Sequence, residues 1–230
     1  MLGRMALVAA AALIVFPMSA TGELQPSDIS KGGVSGSTPR IASDGAAGIV
    51  AVWREVDGDT SAIRAALRPA GGSWSASEPI STPAAATESP KLAMDKLGNA
   101  VAVWQRSSGH DSVVQAAVRP AGGPWGEPQD LSRPGEAAFN TDVALRAGQI
   151  TAVWTVLHER RTTVESSSRT VAGSWAPAQT LSGPVGNAST PVVAVDEEGA
   201  AVAAWRWSDG AYLVVQSAAR SRDGAWSSPE

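Results

Sequence analysis

Eight of the nine tryptophans in this 230-residue chain fall into two series with a common period. Trp53, Trp104, Trp154 and Trp205 are 51, 50 and 51 residues apart, and Trp74, Trp125, Trp175 and Trp226 repeat those three intervals. Only Trp207 lies outside both series. A large side chain held in strict register is a packing element of a repeated unit, and self-similarity at about 50 residues is the mark of a repeat architecture. The flanking residues repeat as well. Leu67-Arg68-Pro69-Ala70-Gly71-Gly72-Ser73-Trp74 returns as Val118-Arg119-Pro120-Ala121-Gly122-Gly123-Pro124-Trp125.

Between these anchors each repeat offers four short runs. An extended piece comes first, as in Pro39-Arg40-Ile41-Ala42 and Pro90-Lys91-Leu92-Ala93. A turn follows, Asp95-Lys96-Leu97-Gly98 or Asp196-Glu197-Glu198-Gly199, and then an apolar run such as Ala100-Val101-Ala102-Val103-Trp104. The third run, for example Val113 to Val118, leads through the Gly-Gly turn to a fourth ending in Ile80-Ser81, Leu131-Ser132 or Leu181-Ser182. The alanine content invites a helical reading. Breakers interrupt every run after about seven residues, however, and helices usually need about ten or more. The second run is apolar at every position and must be buried on both faces. Four antiparallel strands of this kind describe the blade of a β-propeller, with the Gly-Gly turn supplying positive φ between the last two strands. A β-solenoid would use a shorter repeat, and separate sandwiches would need more strands.

The organisation expected is therefore all-β. Residues 1–20 form a leader, 21–37 an N-terminal segment with an orphan strand, and 38–88, 89–139, 140–189 and 190–230 four propeller repeats. Met1 to Arg4 carries one positive charge, Ala6 to Phe16 is apolar, and Ala20 ends a small-residue cut site, which is the pattern of a secretory signal. Ile29-Ser30 precedes Trp53 as Ser81 precedes Trp104, so a stretch from about Leu24 to Ser30 is expected to pair with the third strand or the short fourth strand of the last repeat, near Val214 to Ala219. The arrangement is either a closed four-bladed ring or part of a larger propeller.

Composition narrows the function classes. A net charge of −4, with 18 basic residues scattered along the chain, offers no stripe for a nucleic-acid backbone. The absence of cysteine removes thiol chemistry and cysteine-ligated metal. No metal site, cofactor or catalytic residue is assigned, and no membrane association once a leader is removed. The four-part repeat resembles secreted bacterial β-propeller repeat proteins over about residues 24–230. Ser221-Arg222-Asp223-Gly224-Ala225-Trp226 is similar to a shortened Asp-box, Ser-x-Asp-x-Gly-x-x-Trp, of sialidase-like propellers. That resemblance implies an arginine triad, an acidic partner and a tyrosine nucleophile, for which the chain has only Tyr212.

Two functions are compatible with these observations. One is an extracellular binding or scaffold module for a glycan or a protein. The other is a glycoside hydrolase or sialidase-like enzyme whose catalytic residues lie in further blades. The turns between strands one and two and between three and four are nearly repetitive, whereas the hairpins between strands two and three differ in every repeat. A site needs different groups converging on one ligand, so the expected ligand face carries Asp57, Asp59, His110, Asp111, His158, Arg160, Trp207 and Tyr212. Trp207, out of register, is the expected exposed aromatic contact.

Overall fold

A computed structural model describes residues 28–30, 32–84, 86–108 and 111–230. The leader and most of the orphan strand lie outside the described residues, as does His110. Fifteen strands and no helix make up the described chain. The first unit holds β1 (Ser35–Ser43), β2 (Ile49–Asp57), β3 (Thr60–Arg68) and the short β4 (Glu78–Pro79). The second holds β5 (Ala86–Met94), β6 (Ala100–Ser108), β7 (Asp111–Arg119) and β8 (Gln129–Asp130). The third holds β9 (Ala137–Arg146), β10 (Gln149–His158), β11 (Arg161–Thr170) and β12 (Gln179–Thr180), and the fourth β13 (Asn187–Val195), β14 (Ala201–Ser208) and β15 (Leu213–Arg220).

Each unit is an antiparallel meander in chain order, and a single parallel pairing, Ser112 with Ala137, links the second unit to the third. The first strands of successive units lie side by side, β1 with β5, β5 with β9, and β9 with β13, which places them along a common inner line. The units stack face to face along an arc. No hydrogen-bonded ladder joins the fourth unit to the first among the described residues. Each unit's first strand begins three residues before the expected boundaries at 38, 89, 140 and 190.

The tryptophan register follows from how the units pack. Trp104 enters a cluster with Val50, Val52, Ile63 and Ile80 of the preceding unit, Trp154 one with Val101, Val103, Val114 and Leu131, and Trp205 one with Val153, Val164 and Leu181. Adjacent residues of the same strand face opposite neighbours, which is why the second run is apolar except at Thr151 of the third unit, whose buried hydroxyl accepts from Arg220 at 2.9 Å. The second tryptophan series is half-buried at the rim of these clusters, with the guanidinium of Arg169 over Trp175 at 5.7 Å and that of Arg220 over Trp226 at 5.3 Å.

The turns are closed by the residues their geometry requires. Asp95 Oδ1 accepts from the amides of Leu97 and Asn99, both at 3.0 Å, and Asp196 Oδ1 from that of Ala200 at 2.8 Å. Asp44 does the same for Ala46 and Gly48, so the first unit carries this turn too. Gly71 and Gly122 have φ of 67° and 70°, in the left-handed region that a Cβ disfavours. The Ser221–Trp226 turn closes through the Gly224 amide on the Ser221 carbonyl at 3.2 Å. The same bond closes the other three units, which have no aspartate there, so nothing in this turn is particular to an Asp-box.

The fourth strand of the last unit differs from expectation. Residues 28–30 form no ladder, and Ile29 packs instead beside Trp53 and Trp74 of the first unit. The backbone of Ser217 in β15 pairs in both directions with Glu230, 3.0 Å each way. Glu230 stands in the repeat where Glu78 stands opposite Ala65, so local sequence register decides the pairing.

Candidate functional site

The inner strands share a departure from regular geometry. Each has a non-glycine residue in the left-handed region: Thr38 (φ 49°), Ser89 (50°), Asn140 (52°) and Thr190 (50°). Their spacings, 51, 51 and 50, match the repeat. Register shifts accompany them, between Ser37 and Arg40, Glu88 and Lys91, and Ser189 and Val192, and opposite Asn140 between Val153 and Thr155. A bulge adds a residue to one strand and re-aims the side chains around it. All four left-handed residues are exposed, although Pro90 and Pro191, which follow two of them, are buried. Such conformations cost about 1–3 kcal/mol each and persist where surrounding structure enforces them.

Three of these bulges converge on one cavity of about 340 Å³ on the inner line of the arc. Ser89, Asn140, Thr141 and Thr190 supply hydroxyl and amide groups, Gln105 a second amide, and Arg40 and Lys91 two cations. Arg40, Lys91, Asp142 and Val192 are repeat-equivalent, so the same place in each unit carries a different group. Asp142 does not oppose the cations freely: its Oδ2 accepts the Val193 amide of the next unit at 3.0 Å. The groove is thus a polar, cation-bearing recess assembled from all four units, suited to hydrogen-bonding a hydroxylated ligand that carries negative charge. Among the described residues no three histidine or carboxylate side chains converge as a metal ion requires.

The residues anticipated from the hairpins are more dispersed. His158 and Arg160 share a cavity of about 570 Å³ with Gly135, Glu136, Leu157, Glu159 and Arg161, and Asp57, Asp59, Asp111, Trp207 and Tyr212 are not part of it. His158 Nδ1 lies 3.9 Å from Glu136 Oε1. Asp57 and Asp59 sit exposed at the β2–β3 hairpin, and Asp111 opens β7, also exposed. Tyr212 is 72% exposed, its amide bonded to Asp209 Oδ1 at 2.8 Å. That bond and the one from Ala211 hold the Asp209 carboxyl below its ordinary range. Trp207 corrects the expectation of an exposed aromatic. It is half-buried, packs with Trp205 and Ala188, and donates its indole N–H to the Val185 carbonyl at 3.0 Å. Gly186 passes so close that a Cβ there would stand 2.6 Å from the indole.

A buried acid lies behind the His158 cavity. Glu165, 1% exposed, stands directly opposite Trp154, at the position where Gln115 and Gln216 accept the indole N–H of Trp104 (3.2 Å) and Trp205 (3.3 Å). Burial pushes its carboxyl up, the neighbouring Glu136 pushes it further, and Arg133 at 3.8 Å offsets part of the shift. With so little exposure it has no access to a substrate.

Sequence reasoning misses the groove because its lining comes from a repeated position, and repetition reads as scaffold. The signal was nevertheless in the chain: Ser37-Thr38-Pro39, Glu88-Ser89-Pro90 and Ser189-Thr190-Pro191 occupy one repeat position, with Asn140-Thr141 in the third unit.

No family model and no curated protein matches the sequence. Solved structures do. A protein of unknown function from Dyadobacter fermentans is similar over 86% of this chain and 69% of its own, at 15% identity and a TM-score of 0.56. An endo-1,4-beta-xylanase from Bacteroides thetaiotaomicron aligns over 85% of this chain and 75% of its own, at 10% identity and a TM-score of 0.48. A glycosyl hydrolase from Bacteroides ovatus aligns over 85% and 70%, at 12% identity and a TM-score of 0.48. At such identities the likeness is one of fold alone, shared with the Dyadobacter protein over most of this chain.

Proposed function

We propose that this chain is an exported binding module of β-propeller type, its units the blades, which holds an acidic glycan in the groove between its inner strands. The observation that carries the reading is the convergence of three left-handed residues from three units, Ser89, Asn140 and Thr190, on one recess that also contains Arg40 and Lys91. Hydroxyl and amide side chains match the alternating donors and acceptors of a sugar, and the two cations match a carboxylate or sulfate on it. In this reading the variable hairpins are a second set of contacts, with His158 and Arg160 suited in chemistry to an anionic extension of the ligand.

The test is a glycan array with acidic and neutral oligosaccharides, followed by titration of whichever acidic glycan binds. Asn140→Gly removes the amide while preserving the left-handed backbone, and Lys91→Ala removes a cation. Each is expected to weaken binding by about tenfold or more, as losing one charge-assisted or buried hydrogen bond does. Binding should also weaken as salt rises. Binding that survives both changes but is lost with His158→Ala or Tyr212→Ala would move the site to the hairpins. Release of reducing sugar during the titration would replace the binding reading with the hydrolase one.

A further inference from the structure

An arginine recurs near the end of every third strand: Arg68, Arg119, Arg169 and Arg220, opposite Ile49, Ala100, Ile150 and Ala201. From the second unit on, it meets the residue that opens the short fourth strand of the preceding unit. That residue is Glu78 in β4, Gln129 in β8 and Gln179 in β12, paired with Ala65, Ala116 and Ser166. Burial pulls the guanidiniums of Arg119, Arg169 and Arg220 below their ordinary range. The Glu78 carboxylate offsets part of that shift at Arg119, and Asp223 does so at Arg220. At Arg169 an amide, Gln129, stands where the first interface has Glu78, and no carboxylate among the described residues offsets its burial.

Arg169 is also held in one orientation. Its Nε donates to the Thr170 carbonyl, Nη1 to Gln129 Oε1 and Nη2 to the Val171 carbonyl, each at 3.0 Å, and the group lies over Trp175. These bonds fix the guanidinium plane and leave a hydrogen on each terminal nitrogen. Arg169 lines a cavity of about 390 Å³ at the rim between the second and third units, both of which have a unit on either side. Trp125, Pro120 and Pro124 give this cavity an apolar wall, and Glu127 and Gln129 give it polar groups. Glu127 makes no ion pair with Arg169 among the described residues. The volume lies within the range of small-molecule sites, about 300–1,000 Å³.

We propose that this rim recess is a second binding site, for a uronic acid, whose carboxylate takes the remaining N–H groups of Arg169 and whose ring lies against Trp125. A guanidinium fork matches a planar carboxylate in both charge and geometry. The indole supplies a broad apolar face for the C–H side of the ring, Glu127 accepts from a ring hydroxyl, and Gln129 donates to one through its amide nitrogen. A bare inorganic anion would satisfy Arg169 but would leave the apolar wall unused and meet repulsion from Glu127. A neutral sugar would leave the buried guanidinium without a counter-charge. The recess shares no lining residue with the inner groove, so it stands whether or not the groove takes an acidic glycan.

The test titrates methyl glucuronide, and methyl glucoside as its neutral counterpart, into isotope-labelled protein and follows the indole resonance of Trp125. The inner groove has no tryptophan in its lining, so a shift of that resonance reports the rim. The glucuronide is expected to shift it and to bind about tenfold or more tightly than the glucoside. Gln129→Glu places at β8 the carboxylate that Glu78 places at β4, which satisfies Arg169 from within the chain. It should weaken glucuronide binding by about tenfold or more without lowering the thermal midpoint, whereas loss through misfolding would lower it. Gln179→Glu adds the same charge at the next interface and should leave the binding unchanged. The inference is overturned by equal affinity for the two glycosides, by a Trp125 resonance that neither shifts, or by binding indifferent to Gln129→Glu. An equal loss in Gln179→Glu also overturns it, since net charge alone would then account for the effect.

Discussion

Trp104→Ala is expected to destabilise the protein by about 3–5 kcal/mol, the loss typical of a large aromatic removed from a core that cannot collapse around the space. Trp104 is fully buried, surrounded by Val50, Val52, Ile63 and Ile80 of one unit and Ala102 and Ala117 of its own. Val50 and Val52 are held by ladders on both sides and Ile80 is bonded to Ile63, so these neighbours cannot move in. The indole also donates to Gln115 Oε1, but Gln115 keeps a second bond, from its Nε2 to Asp130 Oδ1 at 2.7 Å, so cavity formation dominates the loss. For a chain of this size each kcal/mol moves the thermal midpoint by about 2–4 °C, so a drop on the order of 10 °C is expected. Trp125→Ala, at the half-buried rim, should cost less than half as much. Calorimetry of both variants checks the pair. A Trp104 loss below about 1 kcal/mol would mean that the inter-unit clusters do not carry the stability assigned to them.

The same packing explains what could be read from the chain and what could not. A buried tryptophan between flat sheets tolerates almost no displacement, so its spacing survives as a visible period, and strand number, turns and burial follow from it. Trp207 shares the strand face of Trp205 but is covered by the Val185–Gly186 link, which belongs to a neighbouring connection and leaves no periodic trace. The hairpins were legible as variable but not as convergent, because variation along a chain does not say which tips share a space. His158 and Arg160 share one cavity, and Asp57, Asp59, Asp111 and Tyr212 lie outside it. The groove had the opposite difficulty. Its Ser/Glu-x-Pro triplets are as regular as the turns, and regularity reads as scaffold, although at an axis where units meet it brings unlike residues to one point. Glu165 had the faintest signal, a single acid in a series otherwise filled by Arg64, Gln115 and Gln216.

That acid supports the second large expectation. Glu165→Gln should stabilise the protein at neutral pH, by about 1–3 kcal/mol, the usual cost of a buried polar group that lacks compensation. As a carboxylate, Glu165 is desolvated, faces Glu136, and keeps its Oε2 buried without a hydrogen-bond partner. Arg133, whose side chain is 61% exposed, offsets only part of this at 3.8 Å. Glutamine carries no charge and reproduces the acceptor that serves Trp104 and Trp205. The pH dependence follows from the direction of the shift. Burial raises the folded-state pKa above its unfolded value, so between the two the folded protein holds a proton that the unfolded chain has released. Stability therefore falls as pH rises through that window, beginning near the ordinary glutamate range, and the deficit persists above it. The variant should lose this decline and match the parent at pH values below the window. Thermal midpoints of both proteins, taken from acid to neutral pH, should accordingly diverge as pH increases. Parallel curves would show that Glu165 is ionised at no cost, and curves that converge on raising the pH would reverse the sign of its contribution.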